Sequence, residues 1–189
     1  MAQVIETRKY EGQAVPPVGK YRIDPAHSSV EFVSRHLMLA RVRGRFQRFS
    51  GYLEVAEDPR HSTVEVTIEA ASIDTNEEQR DNHLRSEDFL YVEEYPEITF
   101  RSTGAQFTDD RWQVSGELTI RGQTRPTTLE VEFLGLIRDP YQQDKALFSA
   151  TTKLSREDYD ITWNQPLEAG GFLVGDQVDI ELEVQAVRE

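Results

Sequence analysis

The chain has 189 residues, enough for one domain with a substantial core. Its 34 acidic and 21 basic side chains give a formal charge of -13, which repels phosphate backbones and anionic membrane surfaces at long range and argues against nucleic acid as a partner. Cysteine is absent, so disulfides, thiolate metal sites and cysteine nucleophiles are excluded.

Residues 1–19 end in AVPPVG, and their polar, Pro-Pro-Val-Gly character predicts a flexible arm ahead of a domain over 20–189. The opening stretch shows no apolar run of signal-peptide type, and a cytoplasmic location is expected. No stretch approaches the roughly 20 apolar residues that span a bilayer. The segment DPAHSS follows, with Asp24, His27, Ser28 and Ser29 close enough to suggest a hydrolytic triad. Three members within one turn rarely converge on a single point, however, and no G-x-S-x-G elbow is present. Local hydrogen bonding of a Pro-containing turn is the simpler expectation.

From residue 20 onward the dominant period is two. Strands are predicted at about 20–24, 28–35 and 42–56, and the stretch between them carries Arg35, Arg41, Arg43, Arg45 and Arg48. Arg41, Arg43 and Arg45 alternate with Val42, Gly44 and Phe46, so they share one strand face, either balancing acidic neighbours or gripping an anionic group. In STVEVTIEA, Val64, Val66 and Ile68 oppose Glu65, Thr67 and Glu69. Thr75 and Glu78 then form a capping-box pattern, with no Pro or Gly before Pro96, which predicts a short helix over about 76–88.

Within that helix Arg80, Asp81, Asn82 and His83 crowd together. They suggest either an acid–base pair or a polar plug for the end of a barrel, and the different directions of consecutive helical side chains favour the plug. Further strands are predicted at about 97–107, 112–121, 127–137, 145–155 and 178–187. The last of these sets Val178, Ile180, Leu182 and Val184 against Asp179, Glu181, Glu183 and Gln185. Eight or nine strands with one charged and one apolar face imply a closed antiparallel barrel or a sandwich. At eight strands a barrel interior either fills with side chains or holds one small ligand, and composition does not choose between them. His27, His36, His61 and His83 are scattered one per segment without a paired zinc motif, so no metal site is expected.

Three stretches in order carry a family resemblance: YRIDPAHSSVEFVSRHLMLARVRGRFQRFSGYLEV, IEAASIDTNEEQRDNHLRSEDFLYVEEYPEITFRST and VSGELTIRGQTRPTTLEVEF. Within them stand Asp24, His27 and Ser28; a Gly-x-Phe-x-x-Phe-x-Gly run at Gly44, Phe46, Phe49 and Gly51; and Arg80, Asp81, His83, Leu84, Asp88 and Phe89. Over about residues 20–187 the chain resembles the YceI-like family of lipid-binding proteins. The resemblance implies an all-β, lipocalin-like, eight-stranded antiparallel barrel with one short helix near its end. It also implies a non-catalytic protein, without cofactor or metal, that holds a prenyl quinone, polyprenyl alcohol or polyprenyl phosphate.

The apolar tunnel expected from this fold is lined by Phe32, Phe46, Phe49, Val64, Val66, Ile68, Phe89, Phe100, Leu118, Ile120, Leu129, Val131, Phe133 and Phe148, with His36, Arg80 and His83 at a polar mouth. Many relatives carry a secretion signal that is not visible here. A histidine-based enzyme and a stress-related interaction module docking through the arginine face are the alternatives, and a homodimer that hides the mouth is a further expectation.

Overall fold

A computed structural model describes residues 3–189 of the chain. Its strands are β1 (Gln3–Val4), β2 (Arg8–Tyr10), β3 (Gln13–Val15), β4 (Gly19–Ile23), β5 (Ser29–His36), β6 (Ala40–Phe46), β7 (Phe49–Val55), β8 (Thr63–Glu69), β9 (Ile73–Asp74), β10 (Glu97–Thr108), β11 (Arg111–Ile120), β12 (Gln123–Arg138), β13 (Asp144–Ser155) and β14 (Val174–Arg188). Helix α1 covers Glu78–Arg85.

Three pairs of these strands are single staves broken by a few residues: β4 with β5, β6 with β7, and β8 with β9. The register shows it, because β14 pairs Arg188 and Ala186 with Tyr21 and Ile23 of β4, then Glu183 through Val178 with Ser29 through Ser34 of β5. Counted this way, eight antiparallel staves follow one another in chain order. The barrel closes where β14 meets β13 on one side and β4 and β5 on the other. Closure leaves no open edge along the staves, and each alternates an apolar inner row with a charged outer row. The outer rows pair across strands, as in Arg101 with Glu65 at 3.2 Å and Arg43 with Glu181 at 3.1 Å.

Two apolar clusters plug the ends. One contains Ile73, Phe89, Leu90, Tyr159 and Ile161, where α1 and the loop before β14 cross the barrel. The other contains Tyr21, Val55, Leu136, Ala146 and Ala186, with Ile5 packed against it. The N-terminal segment therefore differs from the expected flexible arm. β1 pairs with β12, β2 and β3 form a hairpin, Val15 is 1% exposed, and Arg8 donates to the Ala56 and Glu57 carbonyls. Pro-Pro-Val-Gly interrupts periodicity without preventing this docking, because the segment gains its hydrogen bonds from the barrel.

The helix is also shorter than predicted. Asn76 takes a left-handed φ of 61°, which stops helical geometry there, and the Glu77 carboxylate caps the helix by accepting from the Gln79 and Arg80 amides. Thr75 is not the cap. Its amide and hydroxyl both donate to Asp81, at 2.9 and 2.5 Å.

The break between β4 and β5 is fixed by a buried lysine. Lys145 is 7% exposed and contacts Asp24 at 3.2 Å and Asp139 at 3.5 Å. Burial pushes the Asp24 carboxyl up, but hydrogen bonds from His27, Lys145 and the Ala26 amide outweigh it and leave the group below its ordinary value. The Gln143 and Tyr141 amides and Lys145 lower Asp139 in the same way. A carboxyl depressed in the folded state contributes stability that is present above its unfolded pKa and is lost as pH falls through its folded one. Urea unfolding should therefore give a flat stability from neutral pH down to about pH 5, then a fall below about pH 4. In Lys145→Met the carboxyls are less depressed, so stability at neutral pH should be lower and the acid fall smaller. An acid limb unchanged in that variant would count against this account.

Candidate ligand-binding site

Between the two plugs lies a cavity of about 380 Å³. It runs from Val15, Pro16 and Pro59 at the N-terminal end to Leu84, Phe89 and Ile161 at the helix end, so it follows the barrel axis. Its wall is the inner row of nearly every stave, and the polar side chains among its lining residues are few: Ser34, Ser62, Thr127, Thr152, Arg156 and the Tyr159 phenol.

The lumen is hollow because its largest rings lie along the wall. Phe32 sits opposite Gly44 in the β5–β6 register, and a Cβ at Gly44 would collide with the Phe32 ring. Phe100 likewise leans over Gly116 on β11, where an added Cβ would come within 2.5 Å of the ring and 2.6 Å of the Arg101 carbonyl oxygen. Glycine on one strand thus makes room for an aromatic ring on its neighbour. A register shift between Ser102 and Gly104 bends β10 at the same place.

At the helix end polar groups are satisfied by one another and by backbone. Arg80 donates to the Thr75 hydroxyl at 2.7 Å and carbonyl at 2.9 Å, and Arg85 donates to the Ala71 and Ile73 carbonyls. The run 80–83 therefore stitches α1 to β9, as a plug requires. His83 contacts Asp88 at 2.9 Å and meets Phe89 and Trp163 edge-on, at 5.0 and 4.7 Å between ring centroids.

Arg156 organises the loop over residues 156–173. It is 6% exposed and donates to the carbonyls of Ile161 at 2.7 Å, Trp163 and Gly175 at 2.9 Å, and Val174 at 3.4 Å. Burial lowers the pKa of this guanidinium, whose hydrogen bonds go to backbone oxygen rather than to a carboxylate. Nearby, Tyr159 is 2% exposed and its hydroxyl has only a 3.4 Å contact with Thr127 Oγ1, which in turn reaches the Arg125 carbonyl at 3.5 Å. Burial raises the Tyr159 pKa, so the phenol keeps its proton. These two hydroxyls are buried with weak partners, and both residues contribute mainly carbon to the cavity surface.

The sequence-derived residues separate into two groups. All the apolar ones, from Phe32 to Phe148, line this cavity. The three polar ones do not line it: His36 ends β5 opposite Ala40 and Val174, Arg80 is committed to Thr75, and His83 packs on the outer side of Phe89. In their place the wall carries Arg156, Tyr159 and Thr127. Sequence reasoning missed Arg156 and Tyr159 because the loop after β13 has no period, although Ile161 and Trp163 in a polar stretch were an available sign of burial; Thr127 lies on β12 in phase with Leu129 and Val131.

The other constellations stay apart. Ser28 exchanges hydrogen bonds with the backbone of Gln185, while His27 contacts Asp24, so no serine–histidine relay forms. Among the described residues no three His, Asp or Glu side chains converge as a metal site requires. Also among these residues, no helix is long and apolar enough to cross a membrane.

A family model described as the YceI-like domain matches residues 21–186. A UPF0312 protein of Staphylococcus epidermidis is 37% identical over 168 residues, covering 88% of this chain and 96% of its own. One from Vibrio cholerae is 36% identical, covering 87% and 84%. Among solved structures, a Campylobacter jejuni YCEI protein superposes with a TM-score of 0.70 at 27% identity, covering 82% of this chain and 90% of its own. A polyisoprenoid binding domain from Saccharophagus degradans, implicated in plant cell wall breakdown, gives 0.65 at 15% identity, covering 89% and 98%, a likeness of fold.

Removing the guanidinium tests the loop's dependence on it. Arg156→Met leaves buried carbonyls without donors, and each such group costs about 1–3 kcal/mol. A loss of at least about 2 kcal/mol in chemical denaturation is expected, together with faster amide exchange across residues 160–174. Unchanged exchange there would show that the loop holds without Arg156.

Proposed function

The chain belongs to the YceI-like family, and on that premise we propose that it binds a long-chain isoprenoid or a similar amphiphilic lipid as a carrier, storage or sequestering protein. The observation that carries this reading is the apolar cavity along the barrel axis. The fold shared with the polyisoprenoid binding domain of Saccharophagus degradans supports it.

The energetics suit such a cargo. Burying a methylene-sized unit removes about 0.8 kcal/mol of water exposure. Three five-carbon units therefore contribute on the order of 10 kcal/mol gross, comparable with the cost of association. Chain length, rather than a network of polar contacts, is then the main lever on affinity.

The head group follows from what the wall offers. Arg156 is committed to backbone carbonyls, so a phosphate finds no free cation there. The rest of the wall is almost wholly apolar, which suits a neutral amphiphile and not a charged head group. A prenyl quinone or polyprenyl alcohol fits better than a polyprenyl phosphate. We read the protein as a binder and not as an enzyme, since His27 and His83 are engaged separately with Asp24 and Asp88.

Native mass spectrometry of detergent-free protein, followed by organic extraction, should reveal a bound species built of five-carbon repeats. Ala150→Trp puts an indole into the lumen from an inner position on β13 and should abolish that adduct, with Ala150→Phe intermediate. In a packed core such enlargement costs about 1–3 kcal/mol, whereas here the melting temperature should hold. A destabilised variant, or wild-type protein that stays bare after incubation with prenyl quinones, would overturn the reading.

A further inference from the structure

The β5–β6 turn carries Leu37, Met38 and Leu39 in succession, all exposed, with Leu39 at 86%. This three-residue turn takes left-handed backbone at two positions, a geometry that Asn and Gly adopt most readily. Here Leu37 and Met38 adopt it, at φ 51° and 66°. Large apolar side chains are thus held in water at a position that favours neither their exposure nor their backbone geometry.

The patch continues onto the loop that closes the cavity. Leu37 donates its amide to the Leu173 carbonyl at 2.9 Å, and the Met38 side chain lies so close over Gly171 that a Cβ there would meet its sulfur at 2.9 Å. Between them in the chain, Phe172 is 57% exposed. The same loop turns Ile161 and Val174 inward to line the cavity. One face of this segment is cavity wall, and the other is an exposed apolar tip.

Behind the tip stand cations. Arg35 and Arg41 are directly opposite each other across β5 and β6, a like-charge pairing that costs folding energy. With Lys153, which stands opposite Asp179 across β13 and β14, they surround a depression of the outer wall. The adjacent arginines, Arg43 and Arg45, are neutralised by Glu181 and Asp74. A surplus of positive charge is therefore confined to the rim beneath the apolar turn, in a chain whose net charge is -13.

We propose that this tip is a membrane-docking surface, with Leu37, Met38, Leu39 and Phe172 entering the interface of an anionic bilayer and Arg35, Arg41 and Lys153 meeting its head groups. An apolar insertion backed by basic residues is the physical requirement for reversible attachment to such a surface. The net negative charge does not oppose it at contact, because screening limits the felt charges to those within about 8 Å at physiological salt. Docking here sets the cavity's closing loop against the source of an apolar cargo.

The test is flotation of the full chain with vesicles of phosphatidylcholine alone or mixed with phosphatidylglycerol. Wild type should bind the anionic vesicles and release them as salt rises. Leu37→Ser with Met38→Ser and Leu39→Ser should weaken binding at least about tenfold, and Arg35→Gln with Arg41→Gln by a similar factor. The second variant relieves a repulsive pair, so a folding defect is not the expected reason for its effect. Wild-type protein that fails to float, or variants that float equally, would overturn the proposal. So would a dimer that the triple serine variant dissociates while vesicle binding is absent, since the patch would then belong to a second copy of the chain. Flotation is scored whatever the cavity holds, so a protein free of isoprenoid that still docks through this tip would leave the inference standing and remove only the cargo assignment.

Discussion

The pairing of β14 with three partners is the constraint on which the molecule depends. Its C-terminal part holds β4, its N-terminal part holds β5, and its other edge holds β13 along nearly its whole length. Only this arrangement converts a meander of staves into a closed wall, and only a closed wall can enclose an apolar lumen without leaving backbone donors and acceptors unpaired. The breaks within β4–β5, β6–β7 and β8–β9 all lie in the first three staves. There the Asp24–Lys145 contact and the Ser72 hydroxyl, which accepts from the Arg48 amide, replace ladder bonds that the breaks remove.

A barrel of this size either fills with its own side chains or holds one small ligand. Hollowness here has an identifiable origin in the placement of glycine. Gly44 and Gly116 lie on strands next to Phe32 and Phe100, so rings that would otherwise project to the axis lie flat on neighbouring backbone. The aromatic content is thereby spent on the wall, and the space at the centre is bounded by the outer faces of rings and by β-branched side chains.

The wall was legible in the sequence because its period of two is set by the strand itself. Val64, Val66 and Ile68, or Leu129, Val131 and Phe133, can face only one way once their charged neighbours face water. Hollowness was not legible from that period, because a packed and an open lumen have the same alternation; the family resemblance supplied it. The expected polar residues do not line the cavity for a different reason. His36, Arg80 and His83 are conspicuous as residue types, but their partners, Thr75 and Asp88 among them, are set by local turns whose geometry rests on a left-handed Asn76. Arg156 and Tyr159 were overlooked because a 3-10 turn and an irregular loop leave no periodic trace.

The two ends of the barrel are covered by different means. At the N-terminal end, Tyr21, Leu136, Ala146 and Ala186 belong to the staves, and the docked N-terminal segment adds Val15 and Pro16, held by the β1–β12 pairing and by Arg8. At the helix end, closure rests on Ile161, Trp163 and Val174, in a segment tied by Arg156, by Asn164 to the Val174 backbone, and by a single bridge between Pro166 and Phe172. Moving this loop breaks side-chain-to-backbone bonds and leaves the ladders intact, and segments held in that way open at a free energy well below that of global unfolding. Opening of this kind would uncover the cavity beneath the loop that carries the exposed apolar tip.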